Sequence, residues 1–172
     1  MIEEFAPSKS SWQRRFFVLL RPNRKIRPSS SGIAIATAIA MDRAQLEART
    51  MAFAVAVKAL CEELRTQPIA WNTAGQLLDA STSMAANYRA TSRARSRDEW
   101  VSKLGVVCEE ADEAVHWLEF VSASRMAGGD RVASLLAEGR ELRAIFAASY
   151  ATSRRNRGAQ RRTRHTHRHQ DQ

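Results

Sequence analysis

Between residues 41 and 153 the apolar side chains recur every three or four positions, and nowhere do they alternate over a length that a sheet requires. Leu46, Thr50, Phe53, Val57, Leu60 and Leu64 form one helix face over about 42–66, opened by Asp42 with Gln45 as a capping box and stopped by Pro68. A second helix is predicted over 73–91, opening at Thr73-x-x-Gln76 with Leu77, Ser81, Met84 and Tyr88 on its stripe. Ser96-x-x-Glu99, the clearest capping box in the chain, opens a third over 97–126 that ends at Gly128-Gly129. The fourth, over 130–153, turns Val132, Leu135, Leu136, Gly139, Leu142, Phe146 and Tyr150 inward. Four amphipathic helices joined by short turns predict an all-α fold, an antiparallel up-down-up-down four-helix bundle.

At 172 residues the chain is about one domain in size, enough to bury a core without disulfides or metal. The longest apolar stretch, Ile33 to Met41, is far shorter than the roughly 20 residues of a bilayer span, so no membrane partner is expected. Cys61 and Cys108 each sit in a helical pattern and outside any metal-ligand spacing, which points to a reducing cytoplasm. The net charge of +9 is unevenly placed: residues 1–40 carry +5, residues 41–153 carry −2 and residues 154–172 carry +6. A case for nucleic acid therefore rests on local clusters and tails rather than on the overall balance.

Residues 1–40 hold three of the four prolines, a Ser29-Ser30-Ser31-Gly32 run and the apolar island Phe16 to Leu20, which is too short to fold alone. They read as a disordered basic extension. Two alternatives stand beside that reading. Arg21 to Arg27 followed by Ile33–Ala40 loosely mimics a signal peptide, and Met41 could be the true start. In each case the functional domain begins near residue 41. The Arg/His-rich tail, 154–172, is expected to be disordered too.

The third helix has two apolar faces. Trp100, Leu104, Val107, Cys108, Ala111, Val115 and Leu118 share one arc, while Val106, Trp117, Phe120 and Val121 lie on another. Either a broad core absorbs the flank or the Trp117 side is a second contact surface, and we take it as an oligomer interface.

The stretch Gln76-Leu77-Leu78, Met84-Ala85-Ala86-Asn87-Tyr88-Arg89 and Arg93-Ala94-Arg95-Ser96-x-x-Glu99-Trp100 resembles a known family, as do Lys103-Leu104, Glu109-Glu110-Ala111-Asp112-Glu113 and Trp117-Leu118-Glu119. It is the bacterial four-helix bundle protein family first noticed as products of intervening sequences in 23S ribosomal RNA genes. The resemblance covers about residues 42–150, with Asp79, Ser81 and the short turn between helices 1 and 2 as departures. It implies a non-enzymatic bundle that assembles into a ring, typically a homopentamer. A related branch, the accessory variability determinants of diversity-generating retroelements, implies an alternative: a protein scaffold or accessory factor that binds a reverse transcriptase and its RNA.

Arg89, Arg93, Arg95 and Arg97 crowd the junction of helices 2 and 3, and arginine forks match phosphate geometry. Their bland reading is a solvated turn with Arg93 or Arg97 paired to Asp98 or Glu99. No aromatic residue interleaves them, so base stacking is not indicated. Arg154, Arg155 and Arg157 begin a tail that can bind polyanions by counterion release. Glu113-x-x-His116 has the spacing of di-iron bundles, but His116 is the sole histidine of residues 41–153 and those sites need two such motifs. The cysteines fall on or beside core stripes, and Asn87 is expected to hold a buried hydrogen bond between helices 2 and 3. No catalytic residue, metal or cofactor is therefore expected. The expected function is a homopentameric bundle that binds nucleic acid, RNA in particular, through Arg89, Arg93, Arg95, Arg97, Arg154, Arg155 and Arg157. Its expected ring interface is Val106, Trp117, Phe120 and Val121.

Overall fold

The architecture follows from four apolar stripes closing on one another. The computed structural model describes the backbone of residues 42–170 and the side chains of residues 42–155. Its helices are α1 (Arg43–Leu64), α2 (Trp71–Ala90), α3 (Arg97–Ala123) and α4 (Asp130–Gln170), with 3₁₀ turns at Pro68–Ala70 and Thr91–Arg93. They run alternately up and down, and no strand occurs among the described residues. The expected extension 1–40 lies outside the described residues.

The start of α1 is built as its sequence predicts. The Asp42 carboxylate accepts from the Ala44 amide at 2.9 Å, and the Asp42 amide donates to Gln45 Oε1 at 3.1 Å, completing the capping box. The start of α2 differs from expectation. Pro68 fixes its own φ and winds a 3₁₀ turn straight into a helix that begins at Trp71 without a side-chain cap. The Trp71 indole donates to the Arg65 carbonyl at 2.8 Å and staples the turn, while Thr73, the expected cap, is buried. Ser96 caps α3 by accepting from the Glu99 amide at 3.1 Å. The reciprocal half of that box is displaced by one residue, because the Glu99 carboxylate accepts from the Arg95 amide at 2.9 Å.

Helix α3 also stops earlier than predicted. It ends at Ala123, and Arg125, not a glycine, turns the chain with φ 58°. The Met126 amide donates to the Val121 carbonyl and the Arg125 amide to the Ser122 carbonyl, the two bonds of a Schellman motif. Met126 then packs on the core, the apolar contact that such a motif favours. The end of α4 is the converse case. No proline follows residue 153, the following arginines, alanine and glutamines suit a helix, and the backbone stays helical to Gln170. The sequence reading placed that end, and a disordered tail, seventeen residues too early.

The core contains Phe53, Leu60, Leu64, Leu77, Met84, Leu104, Leu118, Leu142, Ile145 and Phe146, all below 2% exposed. Tyr88 and Phe146 meet with ring centroids 5.1 Å apart. Trp100, Cys108, Leu136 and Tyr150, expected inside, are half-buried around this core. Inside it lies one charged element that periodicity missed. Glu138, 4% exposed, accepts from Arg49 Nε at 2.6 Å and Nη2 at 2.8 Å, and Glu141 lies 2.9 Å from the same guanidinium. This clasp ties α1 to α4. Burial opposes the Arg49 charge, and the two carboxylates together outweigh it and raise its proton affinity.

Candidate nucleic-acid interface

Up-and-down topology sends the start of α1, the α2–α3 junction and the outer half of α4 to one end of the bundle. Arg43 marks the meeting point, since its Nη2 donates to Thr91 Oγ1 at 3.4 Å. Within residues 42–47, 89–99 and 150–155 there are seven arginines against four carboxylates. This is the most basic region of the described side chains, although residues 41–153 as a whole are slightly acidic.

Arg89, Arg93, Arg95 and Arg97 are all exposed. Arg89 sits in the last turn of α2 and Arg93 in the 3₁₀ turn Thr91–Arg93, while Ala94 in extended backbone and the Ser96 cap lead through Arg95 to Arg97 at the start of α3. Arg95 is the member that pairs: its Nε lies 3.2 Å from Glu99 Oε2, although its side chain is 90% exposed. The Arg95 backbone and side-chain hydrogen bonds hold the Glu99 carboxyl below its usual range. Arg89, Arg93 and Arg97 form no ion pair with a carboxylate among the described residues.

Arg154 and Arg155 sit on the stretch of α4 that reaches the same end. The Arg154 guanidinium lies 5.6 Å from the centroid of the Tyr150 ring, and Arg155 Nη2 donates to Thr152 Oγ1 at 3.1 Å. The backbone of Arg157 continues α4, and its side chain lies outside the described residues. Six of the seven arginines expected to contact nucleic acid are therefore gathered at one pole. Sequence reasoning missed a further one, Arg43, because pole membership depends on how the helices return and not on local spacing.

The second expected surface divides. Val106 and Phe120 point outward at 37% and 41% exposed, and Trp117 is half-buried between them. Its ring stands edge-on to Phe120 at 5.9 Å and to His116 at 5.2 Å, and its indole donates to Glu113 Oε1 at 3.1 Å. Val121 is corrected: it is fully buried in the bundle core and cannot contribute to an outer face. One turn of α3 thus has a broad inner arc, as a flank taken in by the core requires, and the outer stripe is narrower than predicted.

Asn87 is half-exposed and makes no side-chain hydrogen bond to a described residue, so it does not pin α2 to α3 as expected. Burial raises the thiols of Cys61 and Cys108 to about 11, which keeps both protonated near neutrality. Among the described residues no three His, Cys, Asp or Glu side chains come together as a metal would need. No described helix is long and apolar enough to cross a membrane.

No family model matches the chain, and no curated protein matches it. A solved structure that it resembles is a protein of unknown function from the S23 ribosomal protein family of Bacteroides thetaiotaomicron. The match has a TM-score of 0.58 at 24% sequence identity and covers 61% of this chain and 97% of that one. The likeness is one of fold: a four-helix bundle of the kind found in an S23-family protein.

Proposed function

We propose that this chain is a non-catalytic bundle protein that binds nucleic acid, RNA in particular, at its arginine pole. The observation that carries the reading is the convergence of Arg43, Arg89, Arg93, Arg95 and Arg97 with Arg154 and Arg155 from three separate segments. Among the described residues three of those guanidinium groups pair with no carboxylate, and a run of phosphates offers such groups bidentate acceptors. Binding of this type follows the backbone. The half-buried rings nearby, Tyr88, Trp100 and Tyr150, pack against the core and are not free to stack on bases. Each bundle presents its own pole, so this reading does not depend on ring assembly, which would only repeat the pole around an axis.

The test is fluorescence anisotropy of a labelled single-stranded RNA with the full chain across a salt series. Replacing Arg89, Arg93, Arg95 and Arg97 with Ala weakens binding and flattens the log–log salt dependence by up to about 3, at roughly 0.7 per lost phosphate contact. Affinity and slope that stay unchanged in the folded variant overturn the assignment of the pole.

A further inference from the structure

Helix α4 changes character along the face that the bundle buries. Leu142, Ile145, Ser149 and Ser153 follow one another at helical spacing and are buried or half-buried, Ser153 being the last buried residue described. The same register continues through Asn156, Gln160, Thr163 and His167, none of them apolar. The helical backbone therefore runs on for about 25 Å past Ser153 with no apolar stripe in its sequence. What organises that length is charge.

At about 100° per residue, Arg157, Arg161, Arg164 and Arg168 recur at intervals of four, three and four and share one narrow arc of the helix. Arg155 and Arg162, seven residues apart, share a second arc roughly 140° around from the first. Gly158, His165 and His169 lie between the two, and the opposite half of the circumference carries no arginine. Like charges three and four residues apart oppose a helix. Nothing in the segment offsets them, because no Asp or Glu occurs between Glu141 and Asp171. The arrangement calls for an anionic partner with two rows of charge.

A single strand presents one row of phosphates and serves one arc. A double helix presents two rows, one on each wall of a groove. The major groove of B-form DNA, about 12 Å wide, admits an α-helix of about 10–12 Å diameter, whereas that of A-form RNA is deep and narrow. We infer that residues 155–168 of α4 are a DNA-binding helix that lies in the major groove of duplex DNA. Arg157, Arg161, Arg164 and Arg168 serve the phosphates of one strand, and Arg155 and Arg162 those of the other. The contact is with the backbone and follows no particular sequence. It shares only Arg155 with the arginine pole and does not rest on the reading of that pole as an RNA site.

The experiment is fluorescence anisotropy of the full chain with a labelled DNA duplex of about two turns, its separated strand, and duplex RNA of the same sequence. Gln160→Pro breaks α4 between the arginines and keeps every charge, and position 160 lies beyond Ser153, so the bundle keeps its core. Duplex DNA is expected to bind about tenfold more tightly than the single strand or the RNA duplex, and Gln160→Pro to lose that preference. Replacing Arg157, Arg161, Arg164 and Arg168 with Gln lowers the log–log salt slope by up to about 3.6, at roughly 0.9 per lost phosphate contact. Unchanged duplex affinity in Gln160→Pro overturns the inference, because an unordered basic tail then suffices. So does equal binding of the RNA duplex or of the single strand. The variant with Arg89, Arg93, Arg95 and Arg97 replaced by Ala is expected to keep the preference for duplex DNA whatever happens to its RNA affinity. Loss of the preference there moves the duplex to the pole and also overturns the inference.

Discussion

Arg125 holds a backbone conformation that a glycine would hold at lower cost. With φ 58° it closes the Schellman motif that ends α3, and a Cβ in that region is strained by roughly 1–2 kcal/mol. Arg125→Gly is accordingly expected to stabilise the bundle by about 1 kcal/mol, read as a higher urea midpoint at unchanged slope. The sequence points elsewhere, to Gly128-Gly129, because glycine pairs are the commonest stop signal and an arginine in this role carries no mark. Glu138 was equally hidden. A glutamate on an apolar stripe reads as its polar margin, and its partner Arg49 is 89 residues away. Leu60, Leu118 and Leu142 were legible because aliphatic side chains at helical spacing have one place to go.

At the level of the element, the fit of α4 into its neighbours is set by two glycines facing different amounts of space. A Cβ on Gly139 would lie 3.2 Å from a Val115 methyl and 3.3 Å from the Phe53 ring, whereas one on Gly105 would first meet Tyr150 at 3.4 Å. Gly105→Ala is expected to stabilise by roughly 0.5–1 kcal/mol through helix propensity. Gly139→Leu is expected to destabilise by about 1–3 kcal/mol through overpacking. Paired thermal melts check both signs, and a stabilising Gly139→Leu would contradict the packing. The identity and order of the helices could be read directly from periodicity, and their ends less well. Pro68 started α2 two residues before its expected cap, and α4 continued through an arginine-rich stretch whose composition reads as a tail. Charge composition describes solubility in water and says little about backbone preference once a helix is already nucleated.

For the whole molecule, closure depends on the seam between the first and last helices, and the Arg49–Glu138–Glu141 clasp is its ionic fastening. Glu138→Gln removes the buried carboxylate while Glu141 still pairs with Arg49, and is expected to cost about 2–3 kcal/mol, below the ~3–5 of a fully orphaned buried charge. Replacing both partners, Arg49→Met with Glu138→Leu, is expected to cost less than the single change, and urea unfolding of the two variants measures the difference. The arginine pole belongs to this scale as well. Its junction arginines were visible as a local cluster, but their union with Arg43 and Arg154 exists only because the chain reverses direction three times.

That same reversal has a mechanical consequence. Asp42 and Arg155 leave the bundle at one end, so tension applied through them acts across the α1–α4 seam and not along it. The helices would part as a zipper does, one turn after another, and a peeling seam yields at lower force than a shearing one. The clasp at Arg49 lies less than two turns from the point of loading, where it meets the pull before any of the bundle behind it is disturbed.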